Sequence, residues 1–167
     1  FQDRPIPRPG PFEVLVKIKA FSINRLDILQ KNGRYPIPHK TTEILGLDGA
    51  GIVEQVGKKV TLVKKNERVY GLFPGGTYGQ YALIHQNLLW KMPHHMNFEL
   101  AAAIPEAFTT AYQALFKIGQ LKKGQNVLIH AGASGVGSAS LTLAHYFGAN
   151  CYATCGQKRK VSFCNKL

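Results

Sequence analysis

The segment Val127-Leu128-Ile129-His130-Ala131-Gly132-Ala133-Ser134-Gly135-Val136-Gly137 limits the possible folds more than any other stretch. An apolar β-forming run, a glycine-containing turn and the start of a small-residue helix follow one another directly. The strand is expected over Asn126–His130. The helix is expected from Gly137 to Phe147, with Gly148 stopping it. A second β-rich run, Asn150 to Thr154, comes next. Strand, helix and strand in this order predict a parallel sheet with a helical crossover.

Glycine in such a turn lets the backbone approach a pyrophosphate, whose charge the amides at a helix N-terminus stabilise. Gly132, Gly135 and Gly137, with Ala133, Ser134 and Val136 between them, are therefore the candidate phosphate-binding residues. Their spacing departs from G-x-G-x-x-G, and with 17 glycines in the chain chance matches are easy. The flanking strand and helix carry the reading; the alternative is a tight turn with no ligand.

The second strand leads into Gly156-Gln157-Lys158-Arg159-Lys160. An NAD site places a carboxylate there, about 20 residues beyond the glycines, to hold the ribose hydroxyls. From Ala107 to Leu167 the chain has no Asp or Glu. A 2′-phosphate would instead attract the three cations. Cations at a helix start oppose the helix dipole, which favours a bound anion there. NADPH is the expected cofactor, and the alternative is a merely solvated helix start.

The first half has a different pattern. Residues 13–20 alternate as a strand, with Val14, Val16 and Ile18 on one face and Lys17 and Lys19 on the other. Asn24 is placed to cap a short helix, Arg25 to Lys31, that Gly33 ends. Gly46 to Gly57 reads as a glycine-rich strand. Asn66 to Phe73 and Tyr78 to Ile84 read as two more, joined through Pro74-Gly75-Gly76. A small irregular β-barrel is expected over residues 1–96, and a nucleotide-binding unit over 97–167. In the second unit, Asn97 caps a first helix that Pro105 interrupts. Thr109 to Ile118 forms another, with Ala111, Leu115 and Ile118 on a shared face. The chain ends at Leu167 within the helix expected after the second strand. The remaining strands of a doubly wound sheet are expected beyond it.

The formal net charge is +12, which raises nucleic acid as a partner. The basic residues are scattered in ones and twos apart from Lys158-Arg159-Lys160, so a generally basic surface is expected and nucleic acid is not. No apolar run reaches about 18 residues, and no membrane partner is expected. The N-terminal residues carry no apolar signal core and no Met, so a processed or incomplete N-terminus is expected. All three cysteines lie in the last 17 residues, an odd and clustered set that favours a reducing compartment. The expected location is the cytoplasm.

Asn24-Arg-Leu-Asp27, Gly33-Arg-Tyr35-Pro36, Ile44-Leu-Gly-Leu-Asp48-Gly-Ala-Gly51, Ala103-Ile-Pro-Glu-Ala107 and His130-Ala-Gly-Ala-Ser-Gly-Val-Gly137 together resemble a family. They look like the zinc-free quinone oxidoreductases of the medium-chain dehydrogenase/reductase superfamily, closest to the p53-inducible quinone oxidoreductase subgroup. The likeness covers nearly the whole chain. It implies an α/β plus β fold: a GroES-like irregular β-barrel, followed by the first part of a Rossmann doubly wound parallel sheet. It also implies NADPH as cofactor, a small-molecule quinone as substrate and a homodimer for the full-length protein. By the same resemblance, the family's opening strand and the back half of its Rossmann domain lie outside this chain.

The resemblance gives Tyr35 and Asn24 catalytic roles. Tyr35 would donate to a quinone oxygen or frame the slot, and Asn24 would hold the nicotinamide side or its ribose. Thr110 would contact the nicotinamide region, and Gly156 and Lys160 would lie at the 2′-phosphate. Gln157 stands where the subgroup usually has Ser, and Asp48 where it more usually has Glu. Zinc-dependent relatives need a Cys, a His-Glu pair and a further ligand. Here Asn24 and Leu47-Asp48 occupy those places, so no metal is expected. Asn24 as a mere helix cap and Tyr35 as a mere loop residue are the simpler alternatives. A zinc-free enoyl reductase, or a cofactor- or nucleic-acid-binding protein without turnover, are the alternative functions.

Overall fold

The computed structural model describes residues 2–38 and 41–167. They form two compact units, Phe1–Pro105 and Glu106–Leu167.

The first unit is built on a curled antiparallel sheet of five strands: β1 (Glu13–Phe21), β2 (Asp48–Val56), β3 (Arg68–Leu72), β4 (Tyr81–His85) and β5 (Leu89–Lys91). Their order is β4-β1-β2-β3-β5. The β1–β2 register shifts at Leu15/Val16 and again at Ile18/Ala20. Such bulges increase local twist and bend the strand, which curls the sheet toward a barrel. Gly51 permits a close approach of β2 to β1, because a methyl group there would run into the carbonyl of Lys17. Val14, Val16, Val53, Val69, Phe73 and Ile84 fill the interior and are almost fully buried. Leu15 is buried as well, beside the register shift that breaks the expected alternation.

Pro74-Gly75-Gly76 does join β3 to β4, but the two strands do not pair. Gly75 and Gly76 adopt positive φ, +154° and +95°. The backbone amides of Gly76, Thr77 and Tyr78 then donate to Ile44, Gly46 and Leu45. This carries the chain to the far edge of the sheet, where β4 joins β1. Helix α1 (Arg25–Lys31) follows β1, and Gly33 at φ +67° ends it. Helix α2 (Phe98–Ala102) begins at Asn97, whose Oδ1 accepts from the amide of Leu100 at 2.8 Å. Ala101 and Ala102 pack with Ala50 and Met92. The first unit therefore runs past Asn97, where the sequence pattern changes, because α2 packs on this sheet.

The second unit holds α3 (Pro105–Tyr112) from its second residue on, β6 (Asn126–Ile129), α4 (Gly135–Tyr146), β7 (Asn150–Ala153) and α5 (Lys158–Cys164). Strands β6 and β7 are parallel, with Asn126 opposite Asn150 and Ile129 opposite Ala153. Pro105 begins α3 rather than interrupting a helix, a first-turn place where its missing N–H costs nothing. The expected helix over Thr109–Ile118 needs a correction. After Tyr112 the chain widens into a π-helical stretch, Gln113–Ile118, and the amide of Gly119 reaches back to Ala114. This i→i+5 pattern rotates later residues away from the α-helical face. Leu115 is 8% exposed and Ile118 is 80% exposed, so they do not share a buried face. Leu115 packs with Ala144 and Ala149.

Candidate functional site

In the first unit, the polar chemistry gathers where β1 runs into α1. The side-chain amide of Asn24 donates to Asp48 Oδ2 at 2.9 Å and to Ser22 Oγ at 3.2 Å. Ser22 Oγ donates to the same Asp48 oxygen at 2.6 Å. The backbone amide of Asn24 donates to Asp27 Oδ2 at 2.7 Å, one half of a helix capping box. Tyr78 Oη donates to that oxygen at 2.9 Å. Asp27 and Asp48 are 2% and 1% exposed, which hydrogen bonds must offset. Asp27 Oδ1 and Thr77 Oγ1 are buried without a hydrogen-bond partner.

Burial pushes the Tyr78 phenol up to about 12, with help from its bond to Asp27 and the negative charge of Asp27 and Asp48. Tyr78 is thus held as a neutral donor. Asn24 stands at the cap position expected of it, and its amide is also fixed from the side by Asp48. Tyr35 lies beyond α1 in the following loop, 43% exposed and outside this hydrogen-bonded group. Residue order gave no hint of Ser22 or Tyr78: Tyr78 lies 51 positions from Asp27. Only the crossover through Gly75-Gly76 brings it there.

In the second unit, the expected turn sits between β6 and α4. Ser134 is the N-cap of α4, and its Oγ accepts from the amide of Gly137 at 3.0 Å. The first-turn amides of Gly135 and Val136 have no intrahelical carbonyl to pair with. The three glycines do different jobs. A methyl group on Gly132 would press on Ala153 Cβ at 2.8 Å, and one on Gly137 would strike the carbonyl of Ala131. A methyl group on Gly135 would meet nothing within 4 Å, and the same holds at Gly156. Gly132 and Gly137 allow the turn to close, whereas Gly135 and Gly156 leave open surface. Ala133 is half-buried and Val136 is exposed.

Ala131 holds a left-handed φ of +54°, unusual for a residue with a side chain. Thr154, at the end of β7, pins it. Its Oγ1 accepts from the amide of Ala131 at 3.2 Å and lies 3.2 Å from His130 Nδ1, while its carbonyl accepts from the amide of Gly132 at 3.0 Å. Sequence pattern alone assigns Thr154 no role beyond ending a strand.

Lys158, Arg159 and Lys160 form the first turn of α5, all exposed and with no acidic residue in that turn. Gln157 Oε1 accepts from Arg159 Nε at 3.0 Å, which turns that guanidinium back toward the N-cap. Lys160 and Gly156 sit at exposed positions of the segment that follows β7. Thr110 lies on α3 and is exposed. Among the described residues, no group of three or more His, Cys, Asp or Glu side chains is arranged to hold a metal ion. No helix among them is long and apolar enough to cross a membrane.

A curled GroES-like half-barrel followed by a parallel β-α-β unit with a glycine turn is the architecture of medium-chain dehydrogenases/reductases. Residues 10–94 match the alcohol dehydrogenase GroES-like domain, and the chain belongs to that family and superfamily. It is similar to Escherichia coli quinone oxidoreductase complexed with NADPH: TM-score 0.88 and 32% identity, over 99% of this chain and 51% of that one. It is also similar to the CurK enoyl reductase: TM-score 0.89 and 28% identity, over 99% of this chain and 52% of that one. A mycocerosic acid synthase-like polyketide synthase of Mycobacterium tuberculosis is 36% identical over 152 residues, 91% of this chain and 7% of the synthase. The chain thus spans about half the length of these structures and a small part of the synthase.

Proposed function

We propose that the chain belongs to an NADPH-dependent oxidoreductase that transfers hydride to a quinone without a metal, and that it falls within the p53-inducible quinone oxidoreductase subgroup. The observation that carries the cofactor reading is the pairing of open glycines with an acid-free cationic segment. Gly135, under the Ser134-capped start of α4, leaves room for a pyrophosphate against helix amides. Gly156 leaves room beside Lys158-Arg159-Lys160, whose charges suit a 2′-phosphate. The similarity to an oxidoreductase complexed with NADPH supports the same reading. When bound, the cofactor supplies a hydride from its nicotinamide.

The chain's own residues then bind and orient. Gly132, Ala133, Ser134, Gly135, Val136 and Gly137 form the pyrophosphate turn, and Lys160 with Gly156 holds the 2′-phosphate end. Asn24, its amide fixed by Asp48 and Ser22, would hold the nicotinamide side. Thr110 is proposed as a cofactor-binding residue of the second unit. Tyr35 would donate to a quinone oxygen. A quinone is already a good hydride acceptor, so alignment in a dry slot does most of what is required. A homodimer of the full-length protein and a cytoplasmic location complete the proposal.

A second reading, reduction of an activated alkene, is favoured by the similarity to an enoyl reductase and to a polyketide synthase. Initial rates of NADPH oxidation with a 1,4-quinone and with an enoyl thioester separate the two. A higher kcat/KM on the quinone supports the first reading, and a clear preference for the thioester replaces it with the second.

A further inference from the structure

The Sγ atoms of Cys155 and Cys164 lie 3.3 Å apart, close enough to share a hydrogen bond between free thiols. They stand on either side of the cationic segment. Cys155 precedes Gly156, Cys164 is the last residue of α5, and Gln157 to Lys160 lie between them. Both thiols line a cavity of about 300 Å³ between α4, β7 and α5, and both are partly exposed. A methyl group on Gly132 would come within 3.3 Å of Cys164 Sγ, so the thiol pair lies directly behind the glycine turn. The third cysteine, Cys151, lines the same cavity but is oriented elsewhere, its thiol 3.7 Å from the carbonyl of Ala149.

We propose that Cys155 and Cys164 are a reversible thiol–disulfide site, oxidised by low-molecular-weight disulfides, whose bridge staples α5 across the Gly156–Lys160 segment. A disulfide needs an S–S distance of about 2.05 Å, so the sulfurs must close by roughly 1.3 Å. Rotation about the two Cα–Cβ bonds supplies a movement of that size. The exchange has two steps. Cys155 sulfur, as thiolate, attacks one sulfur of the small disulfide; the S–S bond breaks, a Cys155 mixed disulfide forms, and the departing thiolate takes up the proton that Cys155 lost. Cys164 sulfur then attacks the Cys155 sulfur, loses its own proton, and releases the second small thiol. Two protein thiols are oxidised by two electrons, and one small disulfide is reduced to two thiols. A dithiol reductant reverses the bridge.

This chemistry does not depend on which substrate or cofactor the protein uses, and its test is read by mass. The protein is incubated with oxidised glutathione, alkylated and measured intact, then digested. The expected result is an intact mass that has gained one alkyl group, on Cys151, and lost two hydrogens, with a linked peptide pair containing Cys155 and Cys164. The Cys151→Ser variant should behave identically. Cys164→Ser should instead trap one glutathione on Cys155, because the second step has no attacker. Stable glutathione adducts on both Cys155 and Cys164 of the unsubstituted protein would overturn the proposal. So would a bridge to Cys151, or thiols that remain fully alkylatable.

Discussion

The side-chain amide of Asn24 donates to Asp48 Oδ2 across 2.9 Å, tying the start of α1 to the first residue of β2, 24 positions away. Asp48 is buried and accepts from Ser22 through the same oxygen. Replacing it leaves two donors without their acceptor. Asp48→Ala is expected to cost about 1–3 kcal/mol in urea unfolding. On the proposed function it also lowers kcat more than it raises KM for the quinone, since Asn24 loses its fixed orientation. An unchanged unfolding midpoint would show that Asp48 does not hold this corner together.

The two kinds of glycine in the turn separate stability from binding. Gly137→Ala forces a methyl group onto the Ala131 carbonyl, and overpacking of this kind costs about 1–3 kcal/mol. Gly135→Ala has open space and should change stability by no more than about 0.5 kcal/mol. On the proposed cofactor reading, it should still weaken NADPH binding. Thermal unfolding and NADPH fluorescence titration of the two variants give the comparison.

Lys160→Ala tests the cationic segment. Loss of one charge-assisted contact with a 2′-phosphate, worth about 1.5–3 kcal/mol, is expected to weaken NADPH by roughly 10- to 150-fold. NADH, which has no such phosphate, should bind as before. Equal loss for both cofactors would remove Lys160 from the 2′-phosphate site.

Tyr78 should be a late-titrating tyrosine. Its phenol is raised from 10.0 to about 12, first by burial and then by Asp27. Because the folded value lies above the unfolded one, the associated stability is fully present below about pH 10. It is lost as pH rises through about 12. Tyr78→Phe should remove the corresponding step from the tyrosinate absorbance titration. Asp27→Asn should move that step to lower pH.

The π-helical stretch makes opposite predictions for two residues three positions apart. Leu115→Ala removes a buried side chain and should cost about 2–5 kcal/mol. Ile118→Gln should cost no more than about 0.5 kcal/mol, because Ile118 already faces solvent. A large loss at Ile118 would restore the regular α-helix that its spacing suggests.

Periodicity and punctuation made much of this molecule readable before folding. The alternation at Val14 and Val16, the caps at Asn24 and Asn97, the stop glycines Gly33 and Gly148, and the β-α-β succession all act within a few residues. Local sterics and local hydrogen bonds dictate them, so neighbouring residues contain the information. The same holds for the acid-free run that ends in Lys158-Arg159-Lys160, whose charge is visible wherever the segment lies. The likeness carried by the motifs likewise pointed to the medium-chain dehydrogenase/reductase fold.

Other features depended on residues far apart in the chain. The crossover that sends β4 to the opposite edge of the sheet rests on amides meeting carbonyls more than thirty positions away, at Ile44 to Gly46. That contact delivers Tyr78 to Asp27, and pairing of β2 with β1 delivers Asp48 to Asn24. The division of labour among Gly132, Gly135 and Gly137 depends on which atoms stand opposite each one, and spacing carries no trace of it. Short-range preferences thus set the elements and the kind of ligand their turn can take. Long-range contacts chose which polar groups share a buried corner, because burial charges a penalty that only a partner from elsewhere in the chain can offset.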